Sequence, residues 1–363
     1  MRLNSLSIIN YKNIREADLI FSPKINCFIG NNGMGKTNLL DAIYYLSFCK
    51  SHSNSIDSQN ILHDADFFFV QGKYEIGNAI EEIYCGIKRR SKKQFKRNKK
   101  DYERLSDHIG LLPLVLVSPY DAMLISDGSD ERRKFIDGVI SQYDKVYLTE
   151  LLQYNNALKQ RNALLKSENS IDESLFEIWE DQMALHGQYI HEKRKEFIGE
   201  FIPIFQYFYS FISGGNEQIS LSYLSQYEKY ENVSAHIRET RPRDLTLGFS
   251  TCGVHKDELE MLLDGFPIKR VGSQGQNKTY LISMKLAQFN FLKQVHKMPP
   301  ILLLDDIFDK LDSVRVKKII ELVSGDSFGQ IFITDTNRQH LDQILAQLNQ
   351  ETKIFEVENG NVV

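Results

Sequence analysis

Gly30-Asn31-Asn32-Gly33-Met34-Gly35-Lys36-Thr37 matches the pattern G-x-x-x-x-G-K-[ST], in which each residue type has a mechanical task. The glycines let backbone N–H groups close around phosphate oxygens. Lys36 reaches the β/γ-phosphates, and the Thr37 hydroxyl a Mg²⁺ ion. Asn38, the next residue, opens the following helix and belongs to the same candidate cradle. Far along the chain, Pro300-Ile-Leu-Leu-Leu-Asp305-Asp306 is an apolar run ending in two carboxylates. An acid at the tip of a buried parallel strand is where a phosphate-loop fold holds its metal, so Asp305 is the expected Mg²⁺ ligand. Asp306 is placed to polarise an attacking water, which makes Lys36, Asp305 and Asp306 the candidate catalytic set.

A third stretch, Gly272-Ser273-Gln274-Gly275-Gln276, precedes a helical segment. Small residues and amides at a helix start make poor core and a good anion cradle. Ser273, Gln274, Gly275 and Gln276 are therefore candidate nucleotide-binding residues as well. One chain with a complete phosphate loop has no need of a second cradle. The economical arrangement is a homodimer in which this segment caps the nucleotide of the other copy.

The net charge of −4 hides a segregation: Lys88 to Arg104 holds ten Lys/Arg against Asp101 and Glu103. That local +8 leaves −12 on the rest of the chain, an arrangement suited to meeting a polyanion with one face. Lys92, Lys93, Lys96 and Arg97 are the candidate DNA contacts. The alternative is a solvated hairpin whose lysines protect a sheet edge. Phe95 and Tyr102 could stack on bases, though burial under the hairpin is the expectation for both.

The elements that must position these groups follow from pattern. Lys24–Ile29 reads as the strand before the glycine-rich loop. The helix after it carries Leu39, Leu40, Ile43 and Leu46 on one face. Strands are expected over 2–9, 17–29, 67–76, 80–90 and 111–117, with a hairpin turn at Gly77-Asn78. From about 129 to 212 helical periodicity takes over: Tyr147, Leu151, Tyr154 and Leu158, then Leu175, Ile178, Met183 and Leu185, with Trp179 as core and Pro203 as an interruption or kink. β character returns at Ile219–Leu224 and Leu245–Ser250. Gln276–His296 and Val314–Val323 read as helices, and Ile301–Leu304 and Gln330–Thr334 as strands. The expected fold is α/β, a mostly parallel sheet covered by helices with an antiparallel β subdomain and an inserted helical lobe. The boundaries expected are 1–117, 118–245 and 246–363.

Bulk properties exclude several classes. No apolar run approaches the ~18–20 residues of a membrane span, and the N-terminus lacks the pattern of a secretory signal. Cys27, Cys49, Cys85 and Cys252 show no C-x-x-C spacing; a reducing cytoplasm without disulfides or zinc is the expectation.

Gly30–Thr37, Ser273–Gln276, Asp305-Asp306 and Asp309-Lys310-Leu311-Asp312 stand in the order of the P-loop, signature, acidic strand and D-loop of the ATP-binding-cassette superfamily. Within it the chain resembles the RecF family of bacterial recombination mediators. Asn10–Ile14, Ser129–Asp137, Ala157–Lys166 and Gly253–Leu259 carry that resemblance with Ser-Gln-Gly-Gln, over essentially the whole chain. Gly253-Val254-His255-Lys256-Asp257 stands where the family usually shows Gly-Pro-His-Arg-Asp. Thr336 stands where the superfamily has its switch histidine, and no glutamine clearly fills the Q-loop role. The resemblance implies an ABC-type ATPase head that binds ATP and Mg²⁺, dimerises on ATP and hydrolyses it slowly. It implies action in DNA repair and replication, within the SOS response to DNA damage, at single-strand gaps and single-/double-strand junctions. RecR and RecO are the implied partners in loading RecA. A non-catalytic ATP-gated DNA clamp is the alternative. A transporter's nucleotide-binding subunit fits less well, because the signature is not Leu-Ser-Gly-Gly-Gln.

Overall fold

The computed structural model describes residues 1–362 except 168–172, 216, 308–312, 326, 337, 339–349. Two compact units share the chain: residues 1–121, 211–214 and 274–363 form one, and 122–210 with 215–273 the other. Residues 246–273, expected with the C-terminal part, thus cluster in the second unit.

The first unit begins with β1 (Arg2–Tyr11), β2 (Ile14–Ile20), β3 (Ile25–Ile29) and helix α1 (Lys36–Phe48). It continues through β4 (Phe67–Ile76), β5 (Ala79–Lys88), β6 (Gln94–Arg97), β7 (Lys100–Asp101) and β8 (Leu114–Val117). The single strand expected over 17–29 is two strands in different sheets. At the start of β3, Asn26, fully buried, exchanges side-chain hydrogen bonds with the backbone N and O of Ser22 (2.8 and 2.9 Å), which holds the turn between the two strands.

The second unit contains α2 (Met123–Ser126), α3 (Ser129–Ile140), α4 (Lys145–Leu165) and α5 (Glu173–Ser213), whose end reaches into the first unit's residues. It then forms β9 (Ile219–Leu224), α6 (Val233–Glu239), α7 (Arg241–Leu247), β10 (Glu258–Leu263), β11 (Phe266–Pro267) and α8 (Ile268–Val271). Leu245–Ser250 is therefore not a strand. Pro242 at the helix start and Gly248 in the left-handed region at its end (φ 73°) frame α7 with ordinary start and stop chemistry.

The helix α5 runs through Pro203 without ending. Its buried seam is Phe176, Glu180, Met183, Ile190, Arg194, Phe197, Phe201 and Phe205, mostly three or four residues apart. Leu175, Ile178 and Leu185 lie off that seam and are exposed, and Trp179 is only half-buried. Two charged residues within the seam broke the apolar pattern that sequence reading follows.

Back in the first unit come α9 (Gln274–His296), β12 (Ile301–Asp305), α10 (Ser313–Ser324), β13 (Ile331–Asp335), β14 (Thr352–Glu358) and β15 (Asn361–Val362). Two six-stranded sheets result. One is antiparallel, in the order β2-β1-β4-β5-β6-β7; the other runs β15-β14-β3-β13-β12-β8, parallel from β14 to β8. Strands β3, β8, β12 and β13 are buried at every residue, as both-side-covered parallel strands are. Helix α1 is buried on more than one face, through Leu39, Leu40, Ala42, Ile43, Tyr45 and Leu46, because it joins one core with residues of both sheets.

Candidate nucleotide site

The glycine-rich loop bridges the C-terminal end of β3 and the first turn of α1, and its glycines are required by geometry. Gly33 (φ 82°) and Gly35 (φ 116°) occupy the left-handed half of backbone space. A Cβ on Gly30 would stand 2.2 Å from the Val357 carbonyl oxygen at the end of β14. Lys36 is buried and donates from Nζ to the carbonyl oxygens of Gly30 (2.8 Å) and Asn31 (3.0 Å), which aligns its ammonium along the loop.

Opposite, Thr37 Oγ1 lies 2.9 and 3.0 Å from the two carboxylate oxygens of Asp305, a residue 268 positions away. The parallel register that pairs Leu302 with Ile331 and Ile331 with Ile25 lines up the tips of β12, β13 and β3, so the approach follows from strand order. Thr334 Oγ1 donates to Asp305 Oδ1 (2.8 Å) and accepts the Asp306 backbone N–H (3.0 Å). Burial pushes the Asp305 carboxyl above its usual range, opposed by hydrogen bonds from Thr334 and Thr37. Asp306 takes a positive φ of 46°, an uncommon conformation that aspartate tolerates better than most residues.

A cavity of about 400 Å³ is lined by Asn32, Gly33, Gly35, Lys36, Thr37, Asn38, Pro119, Tyr120, Asp305 and Asp306. Of the expected site residues it gathers Asn32, Gly33, Gly35, Lys36, Thr37, Asn38, Asp305 and Asp306, but not Gly30, Asn31 or Met34. Gln274, Gly275 and Gln276 do not line it: they open α9, where a Cβ on Gly275 would fall 2.7 Å from Arg315 Nη1. Ser273 is exposed and ends the second unit. Asp309–Asp312 lie outside the described residues, and Thr336 follows β13, exposed. A hydroxyl and a carboxylate 2.9 Å apart fit a Mg²⁺ that takes its remaining oxygens from phosphates and water.

Sequence reading missed several participants. Asn13, in the two-residue turn between β1 and β2, accepts from Asn38 Nδ2 (2.7 Å) and sits 2.8 Å from where a Gly35 Cβ would be. The turn Asn359-Gly360, both residues at positive φ, joins β14 to β15; Gly360 N–H donates to the Met34 carbonyl (2.9 Å). An Asn-Gly pair is a hairpin signal that would have revealed it. Ser118–Asp121, just after β8, forms a local turn: Asp121 accepts the Ser118 N–H (2.7 Å) and pairs with Lys285 of α9 (2.8 Å).

The basic run lies along β5 to β7. Lys93 is engaged with Asp57 (2.8 Å) and the Cys49 carbonyl (2.7 Å), and Arg97 is held by Glu81 through two hydrogen bonds. Lys96 stands 3.9 Å from Asp101, and Lys92 is exposed, as are Lys88, Arg90, Lys99 and Lys100. Phe95 is buried as expected, packed with Tyr102 and His108.

The other motif-bearing stretches build the interior of the second unit. Fully buried Arg161 donates to Glu180 (3.1 Å), Asp244 (2.7 Å) and Ser250 (2.7 Å). Arg194 binds Asp137 (2.9 Å) and Asp257 (2.8 Å), and Arg132 pairs with Glu258 (2.6 Å). His255 accepts from or donates to Tyr154 Oη through Nδ1 (2.7 Å) and faces the Ser250 carbonyl through Nε2 (3.0 Å); burial pushes its pKa down to about 4. Lys256 lies over the Phe249 ring, 5.1 Å from its centre.

All four cysteines are buried, and none is in a disulfide. Among the described residues no helix is long and apolar enough to cross a membrane.

Residues 2–362 match the family described as RecF/RecN/SMC N terminal domain. A DNA replication and repair protein RecF of Bacteroides fragilis is 62% identical over 100% of this chain and 98% of its own length. The RecF of Porphyromonas gingivalis is 52% identical over 100% of both. Solved structures of the recombination mediator protein RecF in the RecFOR pathway, RecF-ATPrS and RecF-ATP, match with TM-scores of 0.89 and 0.88 at 29% identity. Each match spans 99% of this chain and 97% or 96% of the other. An Smc head domain from Pyrococcus furiosus shares the fold at TM-score 0.59 and 19% identity, over 99% of this chain and 95% of that one. The sheet order, the inserted helical unit and these likenesses agree: the fold is that of an ABC-type ATPase head, and the chain belongs to the RecF family.

Proposed function

We propose that this chain is an ATP-dependent DNA-binding protein that dimerises on ATP and acts in recombinational repair at single-strand gaps and single-/double-strand junctions. The observation that carries this reading is the meeting of Lys36, Thr37 and Asp305 in one cavity. Gly30 to Asn38 hold the triphosphate, with Lys36 on its outer phosphates. Thr37 and Asp305 hold Mg²⁺, which supplies charge neutralisation at the phosphates, and Asp306 orients water. Ser273, Gln274, Gly275 and Gln276, which do not line this copy's cavity, serve the nucleotide of a second copy. Lys92 and Lys96, with exposed neighbours, meet DNA; Lys93 and Arg97 brace the hairpin that presents them. The solved relatives named with ATP and with the RecFOR pathway support ATP as ligand and a place in that pathway; RecR and RecO are the proposed partners, in loading RecA. Hydrolysis is slow and resets the dimer, in a protein that works in the cytoplasm.

Sedimentation with ATP, ADP and no nucleotide, with and without gapped DNA, tests dimerisation and DNA binding together. Dimers with ATP alone, and DNA retained only by them, are expected; an unchanged monomer in all conditions refutes the reading. A second reading, an ATP-gated clamp that does not need hydrolysis, draws on Thr336 at the switch position. Single-turnover hydrolysis without detectable product, alongside intact DNA retention, would favour it.

A further inference from the structure

Strands β4, β5 and β6 turn one face to the core and the other to solvent. Phe68, Val70, Ile83, Cys85, Ile87 and Phe95 point inward. By alternation the outward residues are Phe67, Phe69, Gln71 and Lys73 on β4, Glu82, Tyr84, Gly86 and Lys88 on β5, and Gln94 and Lys96 on β6. The register places them: Phe67 faces Lys88, Phe69 faces Gly86, and Tyr84 faces Lys96.

Gly86 explains how the aromatics lie. A Cβ there would fall 2.4 Å from Tyr84 Oη and 3.0 Å from its ring carbon Cε1, so the Tyr84 side chain crosses the sheet surface over Gly86. Phe69 meets it in a stacked arrangement, centroids 5.8 Å apart and planes 30° apart. Phe67, 45% exposed, extends the aromatic row one step along β4. A solvent-facing face has no need of three aromatic rings for the core. Their surround is selective: Lys88 and Lys96 flank the rings, Arg90 and Lys92 follow in the β5–β6 turn, and the acids Glu16 and Asp18 of the same sheet stand on β2, beyond β1. Glu82 is the one acid on the outward face of β5, opposite Lys73.

We propose that this face is a stacking platform for single-stranded nucleic acid, with bases laid on Phe67, Phe69 and Tyr84 and phosphates drawn to Lys88, Lys96 and the β5–β6 turn. Sequence-tolerant binding to a single strand takes this form: aromatic faces for the bases, a basic border for the backbone. The charge border selects a polyanion over an apolar protein surface. The proposal rests on the DNA-binding reading above and locates the part of the substrate that is unpaired.

The test measures binding of the full chain, with ATP, to a labelled oligothymidylate of about 15 nucleotides and to an equally long strand of abasic residues. Phosphate charge is the same in both probes. The natural strand is expected to bind roughly tenfold or more tightly. The doubly substituted Phe69→Ala, Tyr84→Ala chain should lose that advantage and keep its abasic-strand affinity. Lys88→Ala with Lys96→Ala should weaken both probes alike and reduce the salt dependence. Equal binding of the two probes by the unsubstituted chain overturns the platform, whatever the variants do, and would leave the face to a protein partner. Binding of duplex but of neither single strand also overturns it while sparing the DNA-binding reading. Failure to bind any nucleic acid removes both.

Discussion

The Thr334 hydroxyl touches both acidic residues of the site, donating to the Asp305 carboxylate and accepting from the Asp306 backbone. It therefore sets the direction of the carboxylate oxygens proposed to hold Mg²⁺ and the conformation of the residue proposed to orient water. Thr334→Val keeps the shape and removes the bridge, leaving an N–H without its partner at a cost of about 1–3 kcal/mol. ATP turnover should fall at least about tenfold while ATP affinity changes by less than about threefold, and Thr334→Ser should restore turnover. An equal loss of affinity and turnover would make Thr334 a mere support of the fold. Lys36→Arg keeps the charge but not the compact ammonium that reaches two loop carbonyls, and ATP turnover should drop severely. Undiminished turnover would displace the site. The loop, Thr37 and Asp305 were legible in the sequence because each sits at a fixed distance from a strand end. Thr334 was not: a threonine at a strand's end is a common residue, and only the parallel register shows what lies beside it.

Among the elements, the second unit depends on buried ionic hydrogen bonds. Arg161 is fully buried with Glu180 and Asp244; Arg161→Ala leaves the Asp244 carboxylate without its cation in the interior, while Glu180 keeps Arg241. A loss of about 3–5 kcal/mol is expected, read as a lowered denaturation midpoint. His255 adds a pH dependence. Its pKa is about 4 in the folded state against an ordinary 6.5, so between those values the unfolded chain binds more protons. Stability from this residue is complete above pH 6.5 and is lost as pH falls toward 4, by at most about 3 kcal/mol. His255→Asn should flatten urea-midpoint stability across that window; an unchanged slope would assign it to other groups. The same burial explains why helix α5 misled sequence reading. Glu180 and Arg194 occupy core positions that a pattern of apolar residues cannot mark, so the helical run Leu175, Ile178, Met183 and Leu185 meets the buried face only at Met183. Leu245 and Leu247 suggested a strand for the same reason, although Pro242 and Gly248 carried a helix's start and stop signals.

For the whole molecule, charge is segregated rather than abundant. The exposed cations of the β5–β7 region, not the paired ones, should govern the salt dependence of DNA binding. Lys92→Ala is expected to reduce the slope of log affinity against log salt by up to about one unit. Lys93→Ala should instead lower thermal stability, since Lys93 holds Asp57 and the end of α1. A normal melting temperature with a reduced slope for Lys93→Ala would reverse the two roles. The fold class was legible from alternating apolar strands and helices. The hairpin β14–β15 was not expected: its second strand is only two residues long, and Asn359-Gly360 alone signals the turn.

That hairpin has a consequence for how the protein is made. The Asn359-Gly360 tip rests on Asn13 and Met34, and β14 lies in register beside β3. The glycine-rich loop leaves the ribosome long before strands β12 to β15, which flank it in the folded chain. A nascent or prematurely terminated chain carries the loop without the surfaces that shape it. Synthesis itself thus withholds nucleotide capture until β14 and the Asn359-Gly360 turn have been made, and a stop codon between β13 and β14 should be as damaging to nucleotide binding as one just after α1.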